Sequence, residues 1–201
     1  MSLERIPVIL LLAISLAAAL CGGMIKNYFC IKISGGSSDR QAYNGVTSLS
    51  AAVILLLWGG VSSVSPFTAT LGIAFGVVTA LQQISCLKAM ERGSWAYTSV
   101  IVSLSTLIPA LSGMIFWNER ITWTQIAGLV LMAGCLVMSA DDRAGQKKLS
   151  YQWLLYCFIA FICTGLVGVM QKWHQHSEAK SELNAFLIVA FFVSFIYSAA
   201  S

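Results

Sequence analysis

The sequence predicts an all-α protein, a polytopic transmembrane helical bundle with about seven spans. Three observations lead there. Of 201 residues, 58% are hydrophobic and only 10% are charged, whereas a soluble domain carries about 25% charged residues because its water-facing surface needs them. The mean hydropathy is +0.80. Charge-free runs of the length one helical crossing requires, about 20 residues, recur along the whole chain. One stretch, Ala42 to Leu87, is without charge over 46 residues, too many for a single span.

The spans read as Ile6–Ile25, Val46–Val64, Phe67–Cys86, Trp95–Trp117, Trp123–Ala140, Trp153–Gln171 and Leu183–Ser201. The first begins after Arg5 and has some signal-peptide character, with Ala17-Ala18-Ala19-Leu20-Cys21 as a cleavage candidate. Its apolar run exceeds the roughly 7–15 residues of a signal-peptide core, so it is read as a retained span. Gly59-Gly60 and Ser62 to Pro66 divide the long charge-free run into two helices joined by a tight hairpin. Pro66 marks the start of the third helix, because proline at the first helical position lacks only a donor that would be unpaired there anyway. Thr122 and Gln125 have capping-box spacing, which starts the fifth helix near Trp123. The stretches Ser34–Asn44, Asp141–Gln152 and Lys172–Glu182 read as polar loops.

An internal repeat is visible across these spans. Gly22-x-Met24-x-Lys26 recurs as Gly168-x-Met170-x-Lys172, 146 residues later, and Leu20 matches Leu166 at the same interval. With the polar linker before the sixth span, this predicts one five-helix unit over residues 1–140, a linker over 141–152, and the start of a second unit over 153–201. Five is odd, so a second copy sits inverted in the membrane. In inverted-repeat folds the binding site lies near the midplane, where the copies meet.

The segment Glu91 to Ala140 then reads as a pattern. It has Pro109 inside the fourth span, Gly113 four residues on, Glu119-Arg120 before the fifth, a Thr-x-x-Gln helix start, and Ala127/Gly128 spaced to Gly134. This combination resembles the end of a repeat in the EamA-type drug/metabolite transporter superfamily. The resemblance implies ten helices in two inverted five-helix repeats. It also implies a multi-pass protein of the cell (plasma or inner) membrane that moves small metabolites, amino acids or drugs by alternating access. The chain stops at Ser201 in the seventh span, so the last helices of that design are not in it. Four-helix small multidrug transporters of the same superfamily carry a membrane-embedded glutamate in the first span. The motif puts Ala18 and Thr164 at that position, and no Asp or Glu lies within any of the spans. An intramembrane carboxylate would be a functional flag, so coupling of that kind is not expected here.

A substrate pathway is therefore expected from neutral polar groups. Thr79, Gln82, Gln83 and Cys86 recur at i, i+3, i+4 and i+7, one face of the third helix. Ser99, Ser103, Thr106, Ala110 and Gly113 form a stripe of small residues on the fourth helix, where Pro109 removes the backbone bond to Ser105 and kinks the chain. The competing reading of both faces is interhelical packing, which is also the default for Gly72-x-x-x-Gly76. Lys26 and Lys172 are expected to snorkel to the headgroups.

Other classes find little support. The net charge of +4 is scattered and does not form the basic patch of a nucleic-acid binder. The six cysteines form no CxxC and suggest neither disulfides nor a zinc site. Trp173-His174-Gln175-His176 reads as loop residues rather than a metal pair, and no nucleophile–base pair, phosphate loop or paired carboxylates suggest an enzyme or a cofactor. The expected partners are a small-molecule solute and the lipid bilayer. Positive charges fall four and eight on the two sides, favouring an outside N-terminus, against the usual placement of relatives, so orientation stays open. The alternatives are a seven-helix receptor-like protein and a non-transporting or flippase-type membrane subunit.

Overall fold

The computed structural model describes residues 5–33, 36–59, 63–120, 122–140 and 150–200. The expected hairpin turn at 60–62 and most of the polar linker, 141–149, lie outside the described residues. The described residues are almost all helical: α1 (Arg5–Lys32), α2 (Ser37–Gly59), α3 (Pro66–Arg92), α4 (Trp95–Ser103), α5 (Leu107–Trp117), α6 (Trp123–Ala140), α7 (Tyr151–His176) and α8 (Leu183–Ala200). The chain divides into two units, Met1–Gly35 with α1 and Gly36–Ser201 with the other helices. Among the described residues six spans are long and apolar enough to cross a membrane, with α4 and α5 together making one of them and α6 not counted among them.

Local chemistry sets the helix ends. Ser65 caps α3, its hydroxyl accepting the Thr68 N–H at 3.3 Å, with Pro66 at the first helical position. At α6 the capping box closes both ways: the Thr122 N–H donates to Gln125 Oε1 at 2.8 Å, and the Gln125 N–H donates to Thr122 Oγ1 at 3.4 Å. Between α4 and α5, residues Leu104–Thr106 form a turn of 3-10 helix. Pro109 explains it, since its ring clashes with the carbonyl one turn back and its nitrogen donates nothing.

Two expected loops are helical instead. α2 begins at Ser37, so Ser37 to Asn44 are its first turns. Asp39 there favours the positive helix end, and Arg40 and Asn44 find partners within the protein, Glu91 and Ser198. α7 likewise continues to His176, so Trp173 to His176 are not loop residues. His174 is fully buried and stacked on Phe186 at 4.5 Å between ring centroids, which holds the last turn in place. Of the expected third loop only Ser177, in extended conformation, and Glu178–Glu182, a 3-10 helix, lie outside the α-helices.

In the larger unit, α3, α7 and α8 share a core of Phe75, Phe186 and Ala190 with Leu71, Val167 and Met170 around it. The Phe75 and Phe186 rings meet edge-on at 5.0 Å. Gly72 and Gly76 let α8 approach α3 closely. A Cβ at Gly72 would lie 3.1 Å from Val189 Cγ1, and one at Gly76 would lie 2.8 Å from Val193 Cβ and run into the Ala190 carbonyl oxygen. The outer faces are apolar: Leu57, Trp58 and Trp123 are each more than four-fifths exposed. Such side chains are stably placed where the surrounding solvent is itself hydrocarbon.

Gly76→Ala is therefore expected to lower the unfolding free energy in detergent by about 1–3 kcal/mol through overpacking. Gly128→Ala, where a Cβ would meet nothing within 4 Å, should stay within about 0.5 kcal/mol of the parent. Thermal melts of the two variants check this; equal losses would contradict the packing assigned to Gly76.

Candidate functional site

Two polar contacts between helices stand out in the larger unit. The first is a seam along α2 and α8. Ser48 Oγ and Ser194 Oγ lie 3.0 Å apart, and Asn44 Nδ2 donates to Ser198 Oγ at 2.5 Å. One turn further in the same antiparallel register come Ala52 and Ala190, both buried. All four polar residues are at most 5% exposed. Gly45 lies on the same face, where a Cβ would stand in ordinary contact with Phe195 and Ser198 at 3.7 Å. The Asn44 Oδ1 atom is buried without a hydrogen-bond partner, as is Thr79 Oγ1 on α3. A buried acceptor left unmade costs about 1–3 kcal/mol.

The second contact joins α5 to α7. Gly168 receives Pro109: a Cβ at Gly168 would lie 2.7 Å from Pro109 Cγ. Gly165, one turn earlier, receives Ile108, whose Cβ would be 2.8 Å away. At the end of α5, Asn118 takes the left-handed conformation with φ 54°, and the Glu119 N–H donates back to the Gly113 carbonyl at 3.1 Å. That turn directs Glu119 onto α7, where it forms an ion pair with Lys172. Lys172 thus has a carboxylate partner across the bundle. A Cβ at Gly113 would intrude on this pair, 3.1 Å from Glu119 Cδ. His176 completes the cluster. Its Nδ1 lies 3.0 Å from the Lys172 carbonyl oxygen and so donates to it, its Nε2 stands 3.5 Å from Glu119 Oε1, and its ring stacks on Trp117 at 5.0 Å. A cleft of about 650 Å³ lined by Met114, Asn118, Glu119 and Arg120 opens beside it.

The residues expected to line a pathway are distributed as follows. Thr79, Gln82 and Gln83 are half-buried on α3, with Cys86 buried one turn on. Ser99 and Pro109 are half-buried, while Ser103 and Thr106 are exposed, the Thr106 hydroxyl donating to the Ser103 carbonyl at 2.9 Å. The buried polar positions of this stretch are the neighbouring Thr98, Ser105 and Ser112. Thr98 Oγ1 accepts the Trp153 Nε1–H at 3.0 Å, tying α4 to α7. Sequence reasoning missed Asn44, Ser48, Ser194 and Ser198. Asn44 and Ser48 stand at the polar edge of a span, and the two serines are isolated in an apolar run; only the i, i+4 spacing within each pair signals a shared face.

Long apolar helices with lipid-compatible outer faces and buried polar seams define a multi-pass membrane protein. The chain belongs to the EamA-like transporter family, which matches residues 6–140. Comparison with curated proteins and with solved structures returns no match.

If the α5–α7 joint depends on charge complementarity, Glu119→Lys and Lys172→Glu should each destabilise the protein and the double exchange should recover most of the loss. The pair is partly exposed, so the coupling should be about 0.2–1 kcal/mol. A double-mutant cycle on thermal unfolding reads it; strictly additive losses would refute the pairing.

Proposed function

We propose that the chain is a transporter of small organic solutes that works by alternating access between inverted repeats. On this reading residues 1–140 are the first repeat, 141–152 a linker and 153–201 the opening of the second. One observation carries the proposal: Ser48 and Ser194, whose hydroxyls touch, are 146 residues apart. That is the interval that relates Gly22, Met24 and Lys26 to Gly168, Met170 and Lys172, and it also separates Ser37 from Leu183, the first residues of α2 and α8. Equivalent positions of two repeats meet each other on the axis that relates them. Two helices packed antiparallel across such an axis are exchanged by a half-turn perpendicular to their length, which lies in the membrane plane. The further pairs fit the same operation, since Asn44 with Ser198 becomes Ala190 with Ala52.

The pathway proposed is lined by Asn44, Ser48, Ser194 and Ser198 at the seam and by Thr79, Gln82 and Gln83 on α3, with Ser99, Ser103, Thr106 and Pro109 on the flanking helix. Between Ala42 and Leu87 no residue is charged, so recognition rests on hydrogen bonds, and solutes bearing donors to meet the Asn44 and Thr79 oxygens are favoured. Binding sites of inverted-repeat transporters lie near the midplane at the repeat interface, the depth at which Ser48 and Ser194 stand within their helices. The location that goes with this function is the cell (plasma or inner) membrane. A seven-helix receptor is disfavoured by the family to which the chain belongs.

Purified protein in liposomes loaded with a defined mixture of amino acids, amines and small organic acids tests the proposal. At least one solute should leave faster than from protein-free liposomes. Asn44→Leu should slow that flux about tenfold, the equivalent of one hydrogen bond near 1.4 kcal/mol. Efflux equal to that of protein-free liposomes for every solute overturns the reading.

A further inference from the structure

At the end of the bundle where α3 finishes and α7 starts, cations gather around one ring. Lys88 Nζ stands 5.4 Å from the centroid of the Tyr156 ring, and Arg92 Cζ stands 4.8 Å from it. Arg40 of α2 lies within electrostatic reach of the same tyrosine. The Glu91 carboxylate accepts from Arg40 Nη1 at 2.7 Å, in a pair whose side chains are 15% and 20% exposed. Lys88 and Arg92 thus share one ring while the neighbouring Glu91 carboxylate is engaged by Arg40. Arg40 Nε adds a buried donor with no acceptor.

This arrangement is unfavourable without an anion. Lys88 and Arg92 are like charges at i and i+4, which repel. The negative end of the α3 dipole and the tyrosine face relieve part of that repulsion, and the Tyr156 hydroxyl accepts from Arg92, but a phosphate offers the guanidinium fork and the ammonium further oxygens at once. The cluster is also placed at a fixed depth. The α3 span ends at Arg92 and the α7 span begins at Tyr151, which puts the group at the membrane–water boundary. Basic pockets between transmembrane helices at that level are sites for acidic lipid headgroups.

We propose that Lys88, Arg92 and Tyr156 form a site for the phosphate of an anionic phospholipid. The Arg92 guanidinium, the Lys88 ammonium and the Tyr156 hydroxyl donate to the phosphate oxygens. Arg40 is a positioning residue that holds Glu91 away from the anion. The acyl chains lie along the exposed apolar face of α7, where Leu154, Leu155 and Phe158 are open. The site stands on the charge cluster alone and is independent of any transport activity.

Native mass spectrometry of the whole chain in detergent tests it, with phosphatidylglycerol and phosphatidylcholine added separately. The protein should retain phosphatidylglycerol in preference to phosphatidylcholine. Arg92→Gln, at an exposed position and so compatible with folding, should weaken phosphatidylglycerol binding about fivefold, and Lys88→Gln with Arg92→Gln should abolish the preference. Arg120→Gln with Lys180→Gln, at the opposite end of the bundle, should leave it unchanged. Equal retention of the two lipids, or an equal loss in the opposite-end variant, overturns the site as an unspecific cationic surface. Displacement of phosphatidylglycerol by inorganic phosphate at millimolar concentration would overturn it in favour of a free anion.

Discussion

A helix in hydrocarbon satisfies its own backbone, but every polar side chain it buries must find its partner inside the protein. Much of the architecture follows from that constraint. Asn44 meets Ser198, Ser48 meets Ser194, Thr68 meets His174 at 3.2 Å, and Trp153 meets Thr98. Each bond joins two different helices, and together they fix which faces pair. Interhelical hydrogen bonds of this kind contribute only about 0.6 kcal/mol each on average, so they act more as register marks than as the main source of stability. Close packing through glycine supplies the rest, at Gly72 and Gly76 for α8 and at Gly165 and Gly168 for α5.

Glu119 shows how the motif residues serve this scheme. The left-handed Asn118 ends α5 and turns the chain, Glu119 reaches Lys172, and Gly113 leaves room for the pair. Pro109 is received by Gly168, four residues before Lys172. The two motifs singled out in the sequence, one around Pro109 to Glu119 and the other Gly-x-Met-x-Lys, are the two sides of one joint. Met170, the middle member of the second motif, packs onto the Phe75 and Phe186 cluster. Spacing alone could not reveal that pairing, because neither motif carries information about its partner.

Much of the fold is nonetheless legible in the sequence. The charge-free runs locate the spans, Ser65-Pro66 and Thr122-x-x-Gln125 locate two helix starts, and the irregular turn before Pro109 follows from its missing donor. The errors share a cause. Polar residues from Ser37 to Asn44 and from Trp173 to His176 read as loop because polarity ordinarily marks water, yet Asn44 and His174 are fully buried. In a lipid-solvated bundle polarity near a span end marks an interhelical contact just as well. The seam at Ser48 and Ser194 is illegible for a further reason: a single serine in an apolar helix has no pattern until the opposing helix is known.

The proposed symmetry between repeats rests on α2 and α8 packing antiparallel with Ser48 opposite Ser194. Disulfide formation measures this most directly, in a background with the native cysteines replaced. Ser48→Cys with Ser194→Cys should cross-link readily in membranes, since the two hydroxyls are 3.0 Å apart. Ser48→Cys with Ala199→Cys, more than one helical turn out of register, should not. Cross-linking of the out-of-register pair with equal yield, or none at the matched pair, would contradict the seam and the symmetry argued from it.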